Sequence, residues 1–178
     1  MIHIDSSQGL PDYFAKNLKI LFVGYNPGER AAALGHHYAG RGNQFWKLLN
    51  ESGLTQRLYR PEEDGLLLLE GYGLTNLVGR PSKSSSDLSA AEMREGAEEL
   101  RRKVAFYRPS WLCLVGKEVY RQYAKLKTGT MVEYGKIPDD SYIYEGIKEF
   151  VAPNPSGRNA IPYAEKLSVF SKLREIAF

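Results

Sequence analysis

The chain has 178 residues, 43% of them hydrophobic and 25% charged, which suits one globular domain with a core of its own. Its formal net charge of +3 is mildly basic and compatible with a polyanionic partner without requiring one. A single cysteine, Cys113, excludes an intramolecular disulfide framework and a cysteine-cluster zinc site, and with no signal-peptide pattern or bilayer-length apolar run the expected location is intracellular.

Residues 1–17 read as an N-terminal lead-in, with Leu10-Pro11-Asp12-Tyr13-Phe14 docking on the body, and residues 18–178 read as a single domain. The apolar run Lys19 to Val23 predicts a buried strand. Directly after it comes Gly24-Tyr25-Asn26-Pro27-Gly28, a turn whose glycines permit positive φ and close backbone approach while Pro27 fixes φ. Residues 29–42 read as a loop with at most a short helical turn. Asn43 is the expected N-cap of a helix through Phe45, Trp46, Leu48 and Leu49, stopped by Gly53. Pro61-Glu62-Glu63-Asp64 opens a short helix ending near Gly71, and Gly73 to Val78 reads as a short strand or irregular segment.

Pro81 to Ser86 is a polar loop. Ser89 followed by Glu92 fits a capping box for a helix running to about Tyr107, which Pro109 ends. Ser110 to Val115 is a second buried strand, and Gly116-Lys117 turns into a helix through Tyr120 and Tyr123. Tyr142-Ile143-Tyr144 and Glu149-Phe150-Val151, with Gly146 between them, suggest a hairpin or two short strands. A second Gly/Pro turn, Asn154-Pro155-Ser156-Gly157-Arg158-Asn159, follows Phe150-Val151-Ala152. Pro162 begins a last helix with Leu167, Phe170, Leu173 and Ile176 as its apolar face. This order predicts an α/β class: one three-layer α/β/α domain with a mostly parallel central sheet. Both turns would then sit at carboxyl ends of strands and face one crevice, where open α/β sheets bind ligands.

Asn26 in such a frame has two readings. Asn is common in turns for its own backbone reasons. A carboxamide held in a rigid Gly/Pro frame can also orient a water through its carbonyl and donate through its NH2, which suits a reaction where the leaving group departs before water adds. Adjacent His36 and His37 suggest a metal, but neighbouring side chains diverge on regular elements, and no metal or other cofactor is expected. Tyr38 in a Gly-rich loop offers a stacking face, or packs as an ordinary loop residue. Arg158 at the mouth of a basic cleft is either solvated or able to take the space of an extruded nucleotide. Ser156, the loop amides, and Lys117 at a helix start are candidate phosphate ligands. No P-loop, dinucleotide-binding glycine pattern or nucleophile elbow is present.

Gly24-Tyr25-Asn26-Pro27-Gly28, Gly35-His36-His37-Tyr38, Gly42-Asn43-Gln44-Phe45-Trp46-Lys47 and Asn154-Pro155-Ser156-Gly157 together resemble the mismatch-specific uracil/thymine DNA glycosylases of the uracil-DNA glycosylase superfamily. The likeness continues through Gly73 to Val78, Asp87-Leu88-Ser89, Arg94-Glu95-Gly96 and Gly116-Lys117, covering about residues 18–175. By position, the resemblance makes Asn26 the catalytic residue that places the hydrolytic water. It puts the Tyr25 amide and Gly28 at the flipped base, Tyr38 stacked upon it, and His37 and Asn76 lining its pocket. Arg158 falls at the wedge position, where bacterial members often carry Leu and the thymine branch Arg. Gly157 and Asn159 would meet the orphaned guanine through their backbones, and Ser82, Lys117 and Ser156 would bind phosphates.

The implied activity is monofunctional: base flipping from double-stranded DNA carrying a G·U or G·T mismatch, then hydrolysis of the N-glycosidic bond by a monomer. Asn at position 26 lacks the charge of the Asp found in the strongest uracil glycosylases, which implies slower chemistry, and no amine nucleophile suggests lyase activity. The rival expectations are a non-catalytic mismatch- or damage-binding module on the same fold, and a small-molecule α/β hydrolase.

Overall fold

The computed structural model describes residues 3–5 and 9–178. Among these, seven strands form one sheet: β1 (His3–Asp5), β2 (Asp12–Phe14), β3 (Ile20–Gly24), β4 (Tyr72–Asn76), β5 (Trp111–Val115), β6 (Gly135–Lys136) and β7 (Lys148–Ala152), in the order β1-β2-β4-β3-β5-β7-β6. The four central strands β4, β3, β5 and β7 run parallel, and the outer β1, β2 and β6 are antiparallel additions. Five helices flank them: α1 (Glu29–Leu34), α2 (Phe45–Glu51), α3 (Ala90–Tyr107), α4 (Lys117–Tyr123) and α5 (Tyr163–Ala177), with a 3-10 helix at Pro61–Glu70.

The central strands β3 and β5 are apolar throughout because both faces of the sheet are covered, while β4 and β7 carry Thr75, Asn76, Lys148 and Glu149. Successive side chains go to opposite layers. Ile20, Phe22, Trp111, Cys113 and Phe150 pack with Phe45, Leu48, Leu49, Phe170 and Leu173 of α2 and α5. Leu21, Val23, Leu112, Leu114 and Val151 pack with Leu100, Val104, Val119 and Tyr123 of α3 and α4. This is the expected three-layer α/β/α arrangement, with Cys113 as a buried free thiol.

Several boundaries follow from local chemistry. The Ser89 hydroxyl accepts from the Glu92 amide at 3.2 Å and the Glu92 carboxylate accepts from the Ser89 amide at 2.8 Å, closing the capping box that starts α3. Gly71 ends the 3-10 helix in the left-handed region at φ 85°. Asn43 serves one residue further out than expected: its Oδ1 accepts from the Phe45 amide at 3.0 Å, while Gln44 occupies the cap of α2.

Three expectations change. The segment at 12–14 is a sheet strand, registered Tyr13 to Leu74, rather than a docked piece of lead-in. Residues 29–34 form a six-residue helix. The antiparallel partner of β7 is Gly135–Lys136, not Tyr142-Ile143-Tyr144. The Ile143 amide is taken by the Glu149 side chain at 2.8 Å instead of a ladder carbonyl, and the Tyr142 hydroxyl donates to Asp139 at 2.8 Å. The segment is therefore pinned by side chains and does not pair as a strand.

Candidate functional site

A cleft of about 970 Å³ opens at the carboxyl ends of β3, β4, β5 and β7. Asn26, Tyr38 and Asn76 line one part of it, and Ser156, Arg158 and Asn159 line another. Both Gly/Pro turns therefore face one crevice. Of the residues expected to act, only Gly157 falls outside its lining.

The first turn is stitched to the chain that follows β4. The Leu77 amide donates to Gly24 O at 2.8 Å, the Val78 amide to Tyr25 O at 3.0 Å, and the Ser82 amide to Pro27 O at 3.1 Å. Inside this frame the Asn26 Nδ2 donates to Arg80 O at 3.0 Å and Ser82 Oγ at 2.8 Å, with a longer 3.3 Å approach to Pro27 O. All these bonds use Nδ2, so among the described residues Oδ1 is left to the cleft. Neither Gly24 nor Gly28 has positive φ; Gly28 is extended at φ −70°. Gly24 is needed for proximity instead: a Cβ there would lie 2.5 Å from Asn76 Oδ1 and 3.1 Å from the Tyr38 hydroxyl.

Tyr38 is less exposed than a loop aromatic should be. Its ring stacks on Phe45 with centroids 3.8 Å apart and planes 18° apart. Its hydroxyl is buried without a hydrogen-bond partner, and burial pushes its pKa up. The backbone at Tyr38 sits at φ 54°, a left-handed conformation unusual for an aromatic residue. What holds it there is Asp64 on the 3-10 helix, 2% exposed, which accepts from the His37 amide at 2.9 Å and the Tyr13 hydroxyl at 2.9 Å. The two histidines diverge: His36 Nδ1 approaches Asp64 at 3.3 Å, while His37 Nε2 donates to Pro11 O at 2.7 Å. Burial lowers the His37 pKa, so the ring is neutral and works as a post behind Tyr38. Asp64 had no sequence signal beyond a helix-start acid.

Tyr25 turns its side chain toward α3, where its hydroxyl meets the Met93 sulfur, and so presents its backbone to the cleft. Ser82 is 7% exposed, and its one proton goes to Ser84 O at 2.7 Å while its oxygen receives Asn26. That hydroxyl is engaged inside the protein and is not open to a phosphate. Lys117 starts a helix of seven residues, and its ammonium lies 4.5 Å from the centre of the Tyr134 ring.

The second turn braces itself. Asn154 Oδ1 accepts from the Ser156 amide at 2.8 Å, and Ser156 Oγ accepts from the Arg158 amide at 3.2 Å. The Gln44 amide donates to Pro155 O at 2.9 Å, tying the turn to the start of α2. Gly157 is required by crowding, because a Cβ there would lie 2.7 Å from Gly42 O. Arg158 is exposed at the tip.

A parallel α/β sheet with a cleft at its carboxyl edge, a fixed carboxamide, a stacked aromatic and an exposed arginine defines a class of ligand-binding α/β domain built to position rather than to attack. Residues 11–176 match the uracil DNA glycosylase superfamily, and the chain belongs to that family. A relative from Schizosaccharomyces pombe (strain 972 / ATCC 24843), "G/U mismatch-specific uracil DNA glycosylase", is 37% identical over 162 residues, covering 86% of this chain and 48% of its own length. The chain thus spans about half the length of the curated relative it matches.

Proposed function

We propose that the chain is a monofunctional DNA glycosylase that takes uracil out of G·U mismatches in duplex DNA and so begins base excision repair, with thymine opposite guanine as a further substrate. The observation that carries this reading is the Asn26 carboxamide, fixed through Nδ2 with its oxygen facing a cleft shared with the 154–159 turn. A pure binding module needs no oxygen fixed to place a water.

The roles that the family resemblance implies are compatible with this cleft. Base flipping requires unpairing, which costs a few kcal/mol and less at a mismatch. Arg158 fills the vacated space, and the backbones of Gly157 and Asn159 meet the orphaned guanine. The everted uracil stacks on the part of Tyr38 not covered by Phe45. Asn76, with both a donor and an acceptor on its amide, pairs with the edge of the base. Backbone groups of Tyr25 and Gly28 carry the charge that grows on the base as the C1′–N bond lengthens. The base departs as an anion, leaving an oxocarbenium-like sugar. A water held by Asn26 Oδ1 adds to C1′, and its proton passes to solvent or base. Cationic carbon needs a placed water rather than a strong base, so a neutral amide suffices, at a lower rate than a carboxylate would give. Ser156, whose hydroxyl proton is not used by the loop, and Lys117 hold phosphates, while Ser82 orients Asn26. The protein acts as a monomer on DNA and needs no cofactor.

Uracil release from a G·U duplex, read by alkaline strand cleavage under single-turnover conditions, tests this. Asn26→Ala should slow release by about 100-fold or more while binding the duplex as before. A variant as fast as the wild type would remove Asn26 from the mechanism.

A further inference from the structure

Lys166 looks in the sequence like one more surface cation on the last helix. In the fold it is 1% exposed. Its ammonium donates to Ser156 O at 3.0 Å and to Gln44 Oε1 at 2.9 Å, and no carboxylate pairs with it among the described residues. Burying an ammonium without a counter-charge is unfavourable unless its hydrogen bonds are provided. Packing alone does not explain the residue, because an apolar side chain of the same length would fill the same space without that penalty.

What the ammonium joins is informative. Ser156 lies in the turn that carries Arg158. Gln44 caps α2 and immediately precedes Phe45, the ring on which Tyr38 stacks. Gln44 also reaches the turn with its own backbone amide, donating to Pro155 O at 2.9 Å. Close contact between Gly157 and Gly42 O completes the seam. Two regions far apart in sequence therefore meet at one buried cation: the start of α2, and α5 together with the second turn that precedes it.

We infer that Lys166 is a positioning residue that holds the Arg158 turn at a fixed distance from the Tyr38–Phe45 stack, so that insertion into the duplex and capture of the everted base are geometrically coupled. The inference rests on the proposed reading of that turn as the one that faces DNA. Lys166 touches neither base nor sugar; it acts through Ser156 and Gln44. Its ammonium beneath the turn also favours a phosphate at Ser156.

The test compares wild type, Lys166→Met, Arg158→Ala and the double variant. Met keeps the length and apolar stem and removes the ammonium. Uracil release is measured on a G·U duplex and on single-stranded DNA containing uracil, which needs no insertion. Lys166→Met should lose about tenfold on the duplex, as expected for a misplaced group, and less than about threefold on the single strand. In the Arg158→Ala background it should add little, since both changes disable one turn. Its melting temperature should stay near that of the wild type. Trypsin cleavage after Arg158, followed by mass spectrometry, should be several-fold faster in Lys166→Met.

Equal losses on both substrates, full additivity with Arg158→Ala, or unchanged cleavage after Arg158 would each overturn the inference. If wild type releases uracil from neither substrate, the glycosylase reading fails, and the trypsin measurement alone decides whether Lys166 holds the turn.

Discussion

The Asn26 carboxamide could be turned two ways about its last torsion, and its surroundings choose one. Arg80 O and Pro27 O are carbonyls that can only accept, so the NH2 must face them and the oxygen must face the cleft. Ser82 supplies the third acceptor and is itself fixed by donating to Ser84 O. Ser82→Ala removes that acceptor and leaves the Arg80 carbonyl. A lost hydrogen bond of about 1 kcal/mol corresponds to roughly a fivefold fall in uracil release if it acts only on the orientation of Asn26. Duplex affinity should stay within about twofold, because the hydroxyl proton is already committed to Ser84 O. An unchanged rate would show that Arg80 O alone sets the amide. Asn26 and Tyr38 were legible as cleft residues because Gly and Pro mark turns beside them and their motifs resemble the family's. Ser82 was legible as a polar loop residue and, from the resemblance, a phosphate candidate, but not as the partner of Asn26: that partner lies 56 positions away, and one sequence carries no sign of which serine meets which amide. Lys166 was hidden for a similar reason, since a lysine among Ala164, Glu165 and Leu167 reads as a solvated helix face.

Whole elements were clearer than their partners. Runs such as Ile20 to Val23 and Trp111 to Val115 announce strands buried on both faces, and the capping box at Ser89 announces α3. Short edge strands carry too little apolar signal, which is why β2 and β6 were missed and Tyr142-Ile143-Tyr144 was wrongly paired. The packing of α3 on the sheet depends on a point that no periodicity displays. A Cβ on Gly96 would lie 2.1 Å from Leu77 O, a backbone atom that cannot move aside. A glycine in the middle of an 18-residue helix normally weakens it against alanine by about 1 kcal/mol, so helix propensity alone favours Gly96→Ala. The contact reverses the sign. Overpacking should destabilise the variant by about 1–3 kcal/mol, read as a lower urea midpoint at unchanged slope. Because Leu77 follows Asn76 directly, uracil release should fall as well. A midpoint equal to or above that of the wild type would mean that α3 rides further from β4 than the structure places it.

At the scale of the whole molecule, the cations of the cleft (Arg30, Arg41, Lys83, Lys117 and Arg158) gather at one edge of the sheet, so a net charge of only +3 still presents a positive mouth to a polyanion. The opposite problem, a negative charge inside the fold, arises at Glu149 on β7, which is 0% exposed. One of its oxygens accepts from the Ile143 amide at 2.8 Å, while Oε2 and the neighbouring Tyr123 hydroxyl both lack a well-formed partner. Tyr120 and Tyr123 of α4 face it, and Arg101 of α3 is turned to Tyr123 O and Glu98 instead of neutralising it. Desolvation pushes the carboxyl up to about 7 from an ordinary 4.5, against the smaller opposing pull of the Ile143 amide and Tyr123. A carboxyl raised on folding favours the native state while protonated, so its contribution is complete below the unfolded value and is lost as pH climbs through the folded one. Glu149→Gln keeps the acceptor for Ile143 and cannot ionise. Its stability should match that of the wild type near pH 4.5 and exceed it by about 3 kcal/mol at pH 8, the free-energy equivalent of that displacement. Chemical denaturation of the two proteins across this range isolates Glu149, because every other titrating group is common to both. Parallel stability curves would mean that the carboxylate is compensated in the fold, with Arg101 or water reaching it.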